Sequence, residues 1–265
     1  MFNDDTGLGY SMIAARLLVL LMLCPLTRAD SIQFCFEDQP YLPYLSDPSL
    51  ASDNKGLLVD LVEEAASLQG LSISLERMPW KRCLRSLEQG TVDAAFAIIW
   101  TQERDQLFAY PMSKPGVPDS SMRLWRASYE VFAHEDMSIH WDGSTFTNVR
   151  YGLSAPKGYV AREKLESEGF LHDKELNPDS GFKLVSLQRL DGYIVEKLIG
   201  LEALKRLKID NVKIRFEQPY MQSDWFVAFS KQKYAQNKQL VETFWQQLRK
   251  ARTDNETKLI EKYKL

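Results

Sequence analysis

The chain has 265 residues, of which 45% are hydrophobic and 26% charged, a composition typical of folded globular proteins and not of disordered or fibrous ones. Its 33 basic and 36 acidic side chains give a formal net charge of −3, so it lacks the clustered excess of Lys and Arg that binding to a nucleic-acid backbone requires. The composition therefore excludes a nucleic-acid partner, and the length suits one large or two small domains.

The N-terminus has the pattern of a secretory signal peptide over residues 1–29. Arg16 is followed by an apolar run at residues 17–26 and then by Thr27-Arg28-Ala29. The run is too short to span a bilayer, which takes about 20 residues, and no later segment is apolar enough to do so. We expect a periplasmic mature chain that starts near Asp30 and is not embedded in the membrane. The alternative is a buried N-terminal helix.

Two cysteines remain in the predicted mature chain, Cys35 and Cys83. An even pair in an oxidising compartment predicts one disulfide bond. The alternative is two separately buried thiols. The distance between the two Cα atoms decides between them, because a disulfide requires it to be within about 7 Å.

Strands alternate with helices in the first part of the mature chain. Strands are predicted at residues 31–36, 71–75 and 92–100, and helices at residues 56–70 and 79–90. Residues 71–75 alternate apolar and polar side chains, as in a strand with one buried face, whereas residues 92–100 are nearly all apolar, as in a strand buried on both faces. Strands that alternate with helices predict parallel β-α-β units.

The alternation then breaks at residues 111–119, which carry three prolines and a glycine and are predicted to cross between two domains. Further strands are predicted at residues 129–133, 149–153 and 225–229. Helices are predicted at residues 159–168, along the apolar stripe Leu198, Leu201, Leu204 and Leu207, from residue 240 onward, and in a last short segment at residues 259–260.

One segment of the second part resembles a segment of the first. Residues 87–96 and residues 187–195 each contain a helix end, a turn and an aspartate before an apolar strand. This similarity predicts two related lobes, because a repeat array would need a shorter period and more copies.

Sequence signatures of several catalytic and metal-binding classes are missing. The chain has no His-Glu-x-x-His, no Gly-x-Ser-x-Gly and no glycine-rich nucleotide loop. The histidines at 134, 140 and 172 are scattered, without a partner at metal-ligand spacing. We expect no metal, no cofactor and no catalytic residue, although carboxylates can still meet in a cleft.

Candidate ligand-binding residues follow the predicted strands, because ligands of open α/β sheets bind at the carboxyl ends of the strands. In chain order these residues are Glu37, Tyr41, Trp80, Trp100, Thr101, Arg104, Lys157, Gly158, Tyr159 and Glu196.

The candidates combine charge with aromatic surface. Arg104 suits a carboxylate and Glu196 suits an ammonium, while Tyr41, Trp80 and Trp100 supply apolar or cation–π walls. The helix that starts near Gly158 offers free N–H groups to an anion. The alternatives are a surface ion pair for Arg104 with its acidic chain neighbours, a solvated helix position for Glu196, and a core position for Trp80.

Six segments occur in an order known from one protein family: residues 56–61, 79–82, 87–93, 101–104, 190–193 and 226–231. With them the chain resembles the periplasmic solute-binding proteins of the amino-acid class, family 3 of the bacterial extracellular binding proteins, over nearly all of residues 30–265. The resemblance implies a type II periplasmic binding fold of class α/β, with two Rossmann-like lobes joined by two crossing strands. It implies lobe 1 at residues 30–122 and 221–265, and lobe 2 at residues 123–220.

The resemblance also implies roles for single residues. The arginine of a Thr-x-x-Arg motif, here Thr101 to Arg104, holds the α-carboxylate of the ligand in this family, and an acid after the turn of the second lobe, here Glu196, holds the α-ammonium. The chain departs from the family pattern in having Glu where Asp is usual, Ile99 where a hydroxyl is frequent, and residues 156–159 in place of a small glycine-rich turn.

The resemblance and the candidate residues together predict an exported, monomeric protein that closes on a small polar, amino-acid-like solute and serves an ABC permease or a membrane sensor. The alternative is a cleft enzyme of dehydratase type on the same fold, with Glu37, Asp38 and Glu196 as general acid and base.

Overall fold

The protein is described by a computed structural model that places residues 1–2, 31–47 and 54–263. The signal peptide predicted over residues 1–29 lies outside the described residues, apart from its first two. Among the described residues, no helix combines the length and the apolar character needed to cross a membrane.

The first part of the chain forms the predicted β-α-β units. Its elements are β1 Ser31–Glu37, α1 Leu57–Gln69, β2 Ser72–Met78, α2 Trp80–Glu88 and β3 Ala94–Ile99. Strand β1 lies between β2 and β3 and is parallel to both. Helix α1 ends at Gly70, whose φ of 70° is the left-handed conformation that glycine adopts without steric cost.

A hairpin follows where the sequence predicts a crossing segment. The elements here are α3 Gln102–Leu107, β4 Phe108–Ala109, β5 Met112–Lys114, β6 Val117–Pro118 and a 3-10 helix at Ser120–Met122. Strands β5 and β6 pair antiparallel, so the prediction for residues 111–119 is wrong. The chain reverses at Pro115-Gly116, where Gly116 has a φ of 72°, and a Pro-Gly pair is itself a turn signal.

The remaining elements continue to the C-terminus. They are β7 Trp125–His134, β8 His140–Trp141, β9 Phe146–Thr147, β10 Leu153–Ser154, α4 Val160–Ser167, α5 Pro178–Ser186, β11 Gly192–Glu196, α6 Lys197–Leu207, β12 Val212–Ile214, β13 Met221–Ser230, α7 Lys231–Gln236 and α8 Lys238–Tyr263. The separate short helix predicted at residues 259–260 is wrong, because α8 continues to Tyr263. The strand predicted at residues 149–153 is reduced to the two residues of β10.

The buried face of α6 differs from the predicted leucine stripe. Leu201 is 43% exposed, and the buried residues are Ile199, Gly200, Ala203 and Leu204. The helix approaches β7 so closely at Gly200 that an added Cβ atom would lie 2.2 Å from the ring of Phe132. Gly200 allows this close approach and thereby determines which face of α6 is buried. The spacing of the leucines alone does not predict that face.

Two adjacent strands, β7 and β13, join the two lobes. They pair antiparallel with each other at one end, Trp125–Tyr129 against Met221–Trp225. Beyond this pairing β7 continues against β11 and β12, whereas β13 continues against β3 and β4. The order of the main sheet is therefore β10-β11-β7-β13-β3-β1-β2, with the second lobe at one end and the first at the other.

The predicted similarity between the lobes rests on two aspartates with the same hydrogen bonds. The N–H of Asp93 donates to the carbonyl of Gln33, and its Oδ2 accepts from the Gln33 N–H, both at 2.9 Å. The N–H of Asp191 donates to the carbonyl of Gly152 at 3.0 Å, and its Oδ2 accepts from the Gly152 N–H at 2.8 Å. Each aspartate thus fixes the start of its strand against a parallel neighbour.

Cys35 and Cys83 form the predicted disulfide, with their Cα atoms 5.6 Å apart. The bond joins β1 to α2, the strand and the helix that carry Glu37 and Trp80. The covalent link therefore fixes one of the aromatic candidates relative to one of the acidic ones.

Candidate functional site

A cavity of about 550 Å³, counting the space at its mouth, lies between the two lobes. Eight of its sixteen lining residues are aromatic, and the charged ones are Glu37 and Arg104. The lining comprises Phe36, Glu37, Tyr41, Tyr44, Leu45, Leu58, Trp80, Phe96, Ala97, Ile99, Arg104, Tyr129, Tyr159, Val160, Ile199 and Trp225. An apolar pocket with a few convergent polar groups is the usual form of a small-molecule site.

Arg104 is the cation of this cavity and is only 8% exposed. Helix α3 carries it near its N-terminus, where the Thr101 hydroxyl accepts from the Arg104 N–H at 3.2 Å and caps the helix. The guanidinium donates to the carbonyl of Ile99 and, across the cavity, to the carbonyl of Gly158, both at 3.1 Å. Arg104 therefore hydrogen bonds to both lobes through neutral carbonyls, and a carboxylate oxygen of Glu163 lies 4.0 Å from its guanidinium.

The loop before α4 reaches the first lobe at Gly158. Its φ of 80° requires the left-handed conformation, and an added Cβ would lie 3.2 Å from Lys81 Cγ and 3.4 Å from Trp80 Cδ1. The preceding Lys157 instead extends into solvent and pairs with Glu175. The loop thus provides a close backbone contact at Gly158 but no lysine charge in the cavity.

Two tyrosines meet across the cavity. Tyr41 follows β1, Tyr159 directly precedes α4, and both side chains line the cavity. Burial raises the pKa of both, so each hydroxyl stays protonated and acts as a neutral donor or acceptor. Together with Trp80 they form an aromatic wall with polar tips.

Glu37 is the acid of the cavity lining and is half-buried at the end of β1. Its Oε1 accepts weakly from the N–H of Gln39 at 3.5 Å. Burial, with a further contribution from the side chain of Asp38, raises the pKa of Glu37 to about 8. At neutral pH this carboxyl group is therefore mainly protonated and uncharged.

Glu196 lies behind the cavity lining and is 3% exposed. Its Oε2 accepts from the N–H groups of Leu198 at 2.8 Å and Ile199 at 3.2 Å, which caps α6, and its Oε1 accepts from the Tyr44 hydroxyl at 3.2 Å. Burial raises the pKa of Glu196 to about 7. The sequence predicts Glu196 as a ligand contact at the end of a strand. In the structure, both of its side-chain oxygens accept hydrogen bonds from other groups of the protein.

The ten predicted site residues divide into two groups. The cavity brings together Glu37, Tyr41, Trp80, Arg104 and Tyr159, and Gly158 touches it through Arg104. Four others do not line it: Thr101, Lys157, Glu196 and Trp100. Trp100 lines a separate depression beside Pro118 and Phe226, and its buried Nε1 has no hydrogen-bond partner among the described residues.

Two cavity residues that the sequence did not predict lie in the interior of the crossing strands. Tyr129 in β7 and Trp225 in β13 line the cavity, and the Trp225 Nε1 donates to the Tyr129 hydroxyl at 3.0 Å. Tyr44 completes the group, with its ring 5.0 Å from that of Trp225. Residues that follow strands are the ones that the sequence pattern predicts as ligand contacts, whereas Tyr129 and Trp225 lie within strands that pass the cavity.

The cavity lining has the chemistry of a small-molecule binding site. Among residues 31–47 and 54–263, no three His, Cys, Asp or Glu side chains gather as metal ligands would. Glu37 and Glu196 have raised pKa values, but the oxygens of Glu196 accept hydrogen bonds from Tyr44 and from the helix α6 N–H groups. Neutral hydroxyls, one guanidinium and aromatic faces can hold and orient a small molecule.

Solved structures with the same fold include both sensors and transport proteins. A histidine kinase sensor domain with similarity to periplasmic binding proteins shares 16% identity and a TM-score of 0.68, covering 89% of this chain and 96% of that one. The substrate-binding protein of an amino acid ABC transporter shares 18% identity and a TM-score of 0.68, covering 88% and 99%.

A third similar structure is the arginine-, lysine-, histidine-binding protein ArtJ of Geobacillus stearothermophilus, with 15% identity, a TM-score of 0.67, and coverage of 88% of this chain and 95% of that one. At such identities the likeness concerns the fold, and it confirms the predicted type II periplasmic binding architecture. A search of curated protein sequences found no match. The profile of one family, however, matches residues 35–264, and the chain therefore belongs to the bacterial extracellular solute-binding proteins, family 3.

Proposed function

We propose that the protein captures a small organic carboxylate of amino-acid size between its two lobes and presents the closed form to an ABC permease or a membrane sensor. Family membership makes it a solute-binding protein and implies a periplasmic or extracellular location. The export signal at residues 1–29 and the monomeric state are part of this proposal.

The observation that carries the proposal is the environment of Arg104. Its guanidinium is buried, its hydrogen bonds go to neutral carbonyls, and the carboxylate within 4.0 Å of it belongs to Glu163, whose side chain is 58% exposed. A buried charge without close compensation is costly. An anionic ligand in the cavity would supply the missing charge and form paired hydrogen bonds with the guanidinium.

The division into lobes supports capture by closure. We propose that lobe 1 comprises residues 30–122 and 221–265 and lobe 2 comprises residues 123–220, with β7 and β13 as the hinge. Ligand-induced closure about such strands is a known mode of domain motion in periplasmic binding proteins. The solved structures of similar fold include an amino acid transporter's binding protein and a histidine kinase sensor domain, which supports a solute of amino-acid size and either partner.

Titration calorimetry of the purified protein against a panel of small carboxylates tests the proposal. We expect Arg104→Ala to abolish binding, while Arg249→Ala, at an exposed position on α8, leaves it unchanged. Circular dichroism of each variant verifies the fold. Equal affinities for the wild type and a folded Arg104→Ala variant would contradict the proposal.

We further propose that the bound solute is released chemically unchanged. Incubation of the protein with its ligand, followed by chromatography of the supernatant, measures this directly. A new product formed in proportion to protein concentration would favour the dehydratase-type alternative instead.

A further inference from the structure

The inference concerns the chemical class of the solute and rests on the proposed function. Three carboxyl groups lie near the cavity or its arginine, those of Glu37, Glu163 and Glu196. An α-amino acid whose carboxylate is held by Arg104 has its ammonium on the next carbon, so that ammonium needs an acceptor beside the guanidinium. Each of these acids is a candidate acceptor for the ligand ammonium.

Glu196 is the acid to which the family resemblance assigns the ammonium, and its oxygens are already in use. One accepts from two N–H groups of α6 and the other from the Tyr44 hydroxyl. Tyr44 belongs to the cavity lining and Glu196 does not. The Tyr44 hydroxyl therefore occupies the Glu196 oxygen that does not cap α6, and the Glu196 carboxyl group, only 3% exposed, does not line the cavity.

Glu163 of the second lobe lies 4.0 Å from the Arg104 guanidinium, but its side chain is 58% exposed and does not line the cavity. Among the described residues, the second lobe contributes no acid to the lining. Its contributions to the lining are Tyr159, Val160 and Ile199, which are aromatic or aliphatic. Tyr129, from the crossing strand β7, adds a hydroxyl that accepts from Trp225. An ammonium placed against this wall would lose its hydration without gaining a counter-charge.

Glu37 lines the cavity at the end of β1, and among the described residues no hydrogen bond or ion pair joins its carboxyl group to the Arg104 guanidinium. Burial raises the pKa of Glu37 to about 8, which leaves it mainly uncharged at neutral pH. It therefore suits a neutral hydrogen bond at the far end of the ligand better than an ammonium beside Arg104.

We infer that the solute is an arylalkanoic acid, a monocarboxylate with an aromatic body and no α-ammonium group, and that the Tyr44–Glu196 hydrogen bond is the feature that selects against amino acids. Arg104 binds the carboxylate, and the eight aromatic rings of the lining contact the flat apolar body. The solute corresponds to an aromatic amino acid from which the amino group has been removed.

A matched pair of probes tests the inference. 3-Phenylpropanoate and L-phenylalanine share the ring, the chain length and the carboxylate and differ in the α-ammonium. Titration calorimetry with the purified protein at pH 7 is expected to give a Kd at least tenfold lower for 3-phenylpropanoate. Equal affinities, tighter binding of L-phenylalanine, or no binding of either probe would overturn the inference.

The wider carboxylate panel and Arg104→Ala keep this outcome separate from the proposed function. A panel member that binds only when Arg104 is present upholds capture of a carboxylate even if both phenyl probes fail. If a folded Arg104→Ala variant bound the panel members as tightly as the wild type, both the proposed function and the inference would be overturned.

A variant pair tests the role of Tyr44. Tyr44→Phe frees one oxygen of Glu196 and is expected to reduce the preference for 3-phenylpropanoate at least threefold by improving L-phenylalanine binding. Tyr220→Phe is the control, because its hydroxyl donates to Glu168 at 2.6 Å outside the cavity lining, and its preference should equal that of the wild type. If a folded Tyr44→Phe variant kept the wild-type preference for 3-phenylpropanoate over L-phenylalanine, Tyr44 would not be the residue that selects against the α-ammonium group.

Discussion

Arg104 and Gly158 are joined by a hydrogen bond of 3.1 Å that connects α3 of the first lobe to the loop before α4 in the second. The same glycine packs against Trp80 and Lys81, so two contacts between the lobes meet at one residue without a side chain. Closure of the cavity therefore depends on the backbone at Gly158.

We predict that Gly158→Ala weakens solute binding by about tenfold. The substitution strains a φ of 80°, which costs about 1 kcal/mol of stability, and places a methyl group against Trp80 and Lys81. Gly169→Ala is the matched control, because Gly169 has a φ of 77° and nothing within 4 Å of an added Cβ among the described residues. Denaturation should show similar losses of stability for both variants, and calorimetry should show weaker binding only for the first.

Removal of the Cys35–Cys83 disulfide is expected to lower the free energy of unfolding by about 4 kcal/mol. The bond closes a loop with a sequence separation of 48 residues, and the loss of loop-closure entropy in the unfolded chain sets this scale. Urea denaturation with and without reductant measures it. A Cys35→Ala, Cys83→Ala double variant should be insensitive to reductant, and equal midpoints for reduced and oxidised wild type would contradict the prediction.

The free energy of unfolding should fall as pH rises from 4.5 to about 7, in part because of Glu196. Burial raises the pKa of this carboxyl from 4.5 to about 7, so the folded protein holds a proton that the unfolded chain releases. Its contribution is largest below pH 4.5, is lost by about pH 7, and amounts to at most about 3 kcal/mol.

Glu196→Gln isolates this contribution, because the amide oxygen still accepts hydrogen bonds but does not titrate. Urea denaturation between pH 4.5 and 8 should show a flatter profile for this variant than for the wild type. Glu37, whose pKa is raised to about 8, adds a slope of the same sign in both proteins. Glu261→Gln, at an exposed position on α8, serves as the control with the wild-type slope.

Asp191→Ala should destabilise the fold more than Asp93→Ala, although both residues occupy equivalent turns. The Asp191 carboxylate accepts from the backbone N–H groups of Arg150, Tyr151 and Gly152. The Asp93 carboxylate accepts from one backbone N–H, that of Gln33, and forms an ion pair of 3.5 Å with Lys233. Hydrogen bonds to a charged group contribute about 1.5–3 kcal/mol each, so we expect losses above about 3 and near 2 kcal/mol respectively in urea denaturation. The reverse order would contradict the assignment.

Much of the fold could be predicted from local sequence patterns. The stripe Leu57, Leu58, Leu61 identified α1, and the turn with Asp191 identified the similarity between the lobes, because both signals lie within a few residues of chain. The hairpin at residues 111–119 differs from the predicted crossing segment although its Pro-Gly turn is a local signal, because a segment with three prolines also has the composition of a connection.

The site was less accessible to prediction because its decisive contacts are distant in sequence. Tyr44 and Glu196 are 152 residues apart, and nothing beside either residue indicates that the hydroxyl and the carboxylate meet. Tyr129 and Trp225 were missed because they lie within strands rather than after them. Arg104, Tyr41 and Trp80 were found because a strand end or a helix start places them at the cavity edge.

The pairing of β3 with β13 has a consequence for the order in which the chain can fold during synthesis. Residues 94–99 of β3 pair with residues 225–229 of β13, so the sheet of the first lobe stays incomplete until the ribosome has released the last fifth of the chain. Until then the hydrophobic edge of β3 is unpaired and open to other nascent chains. A chaperone that holds the polypeptide extended until β13 is available would protect that edge.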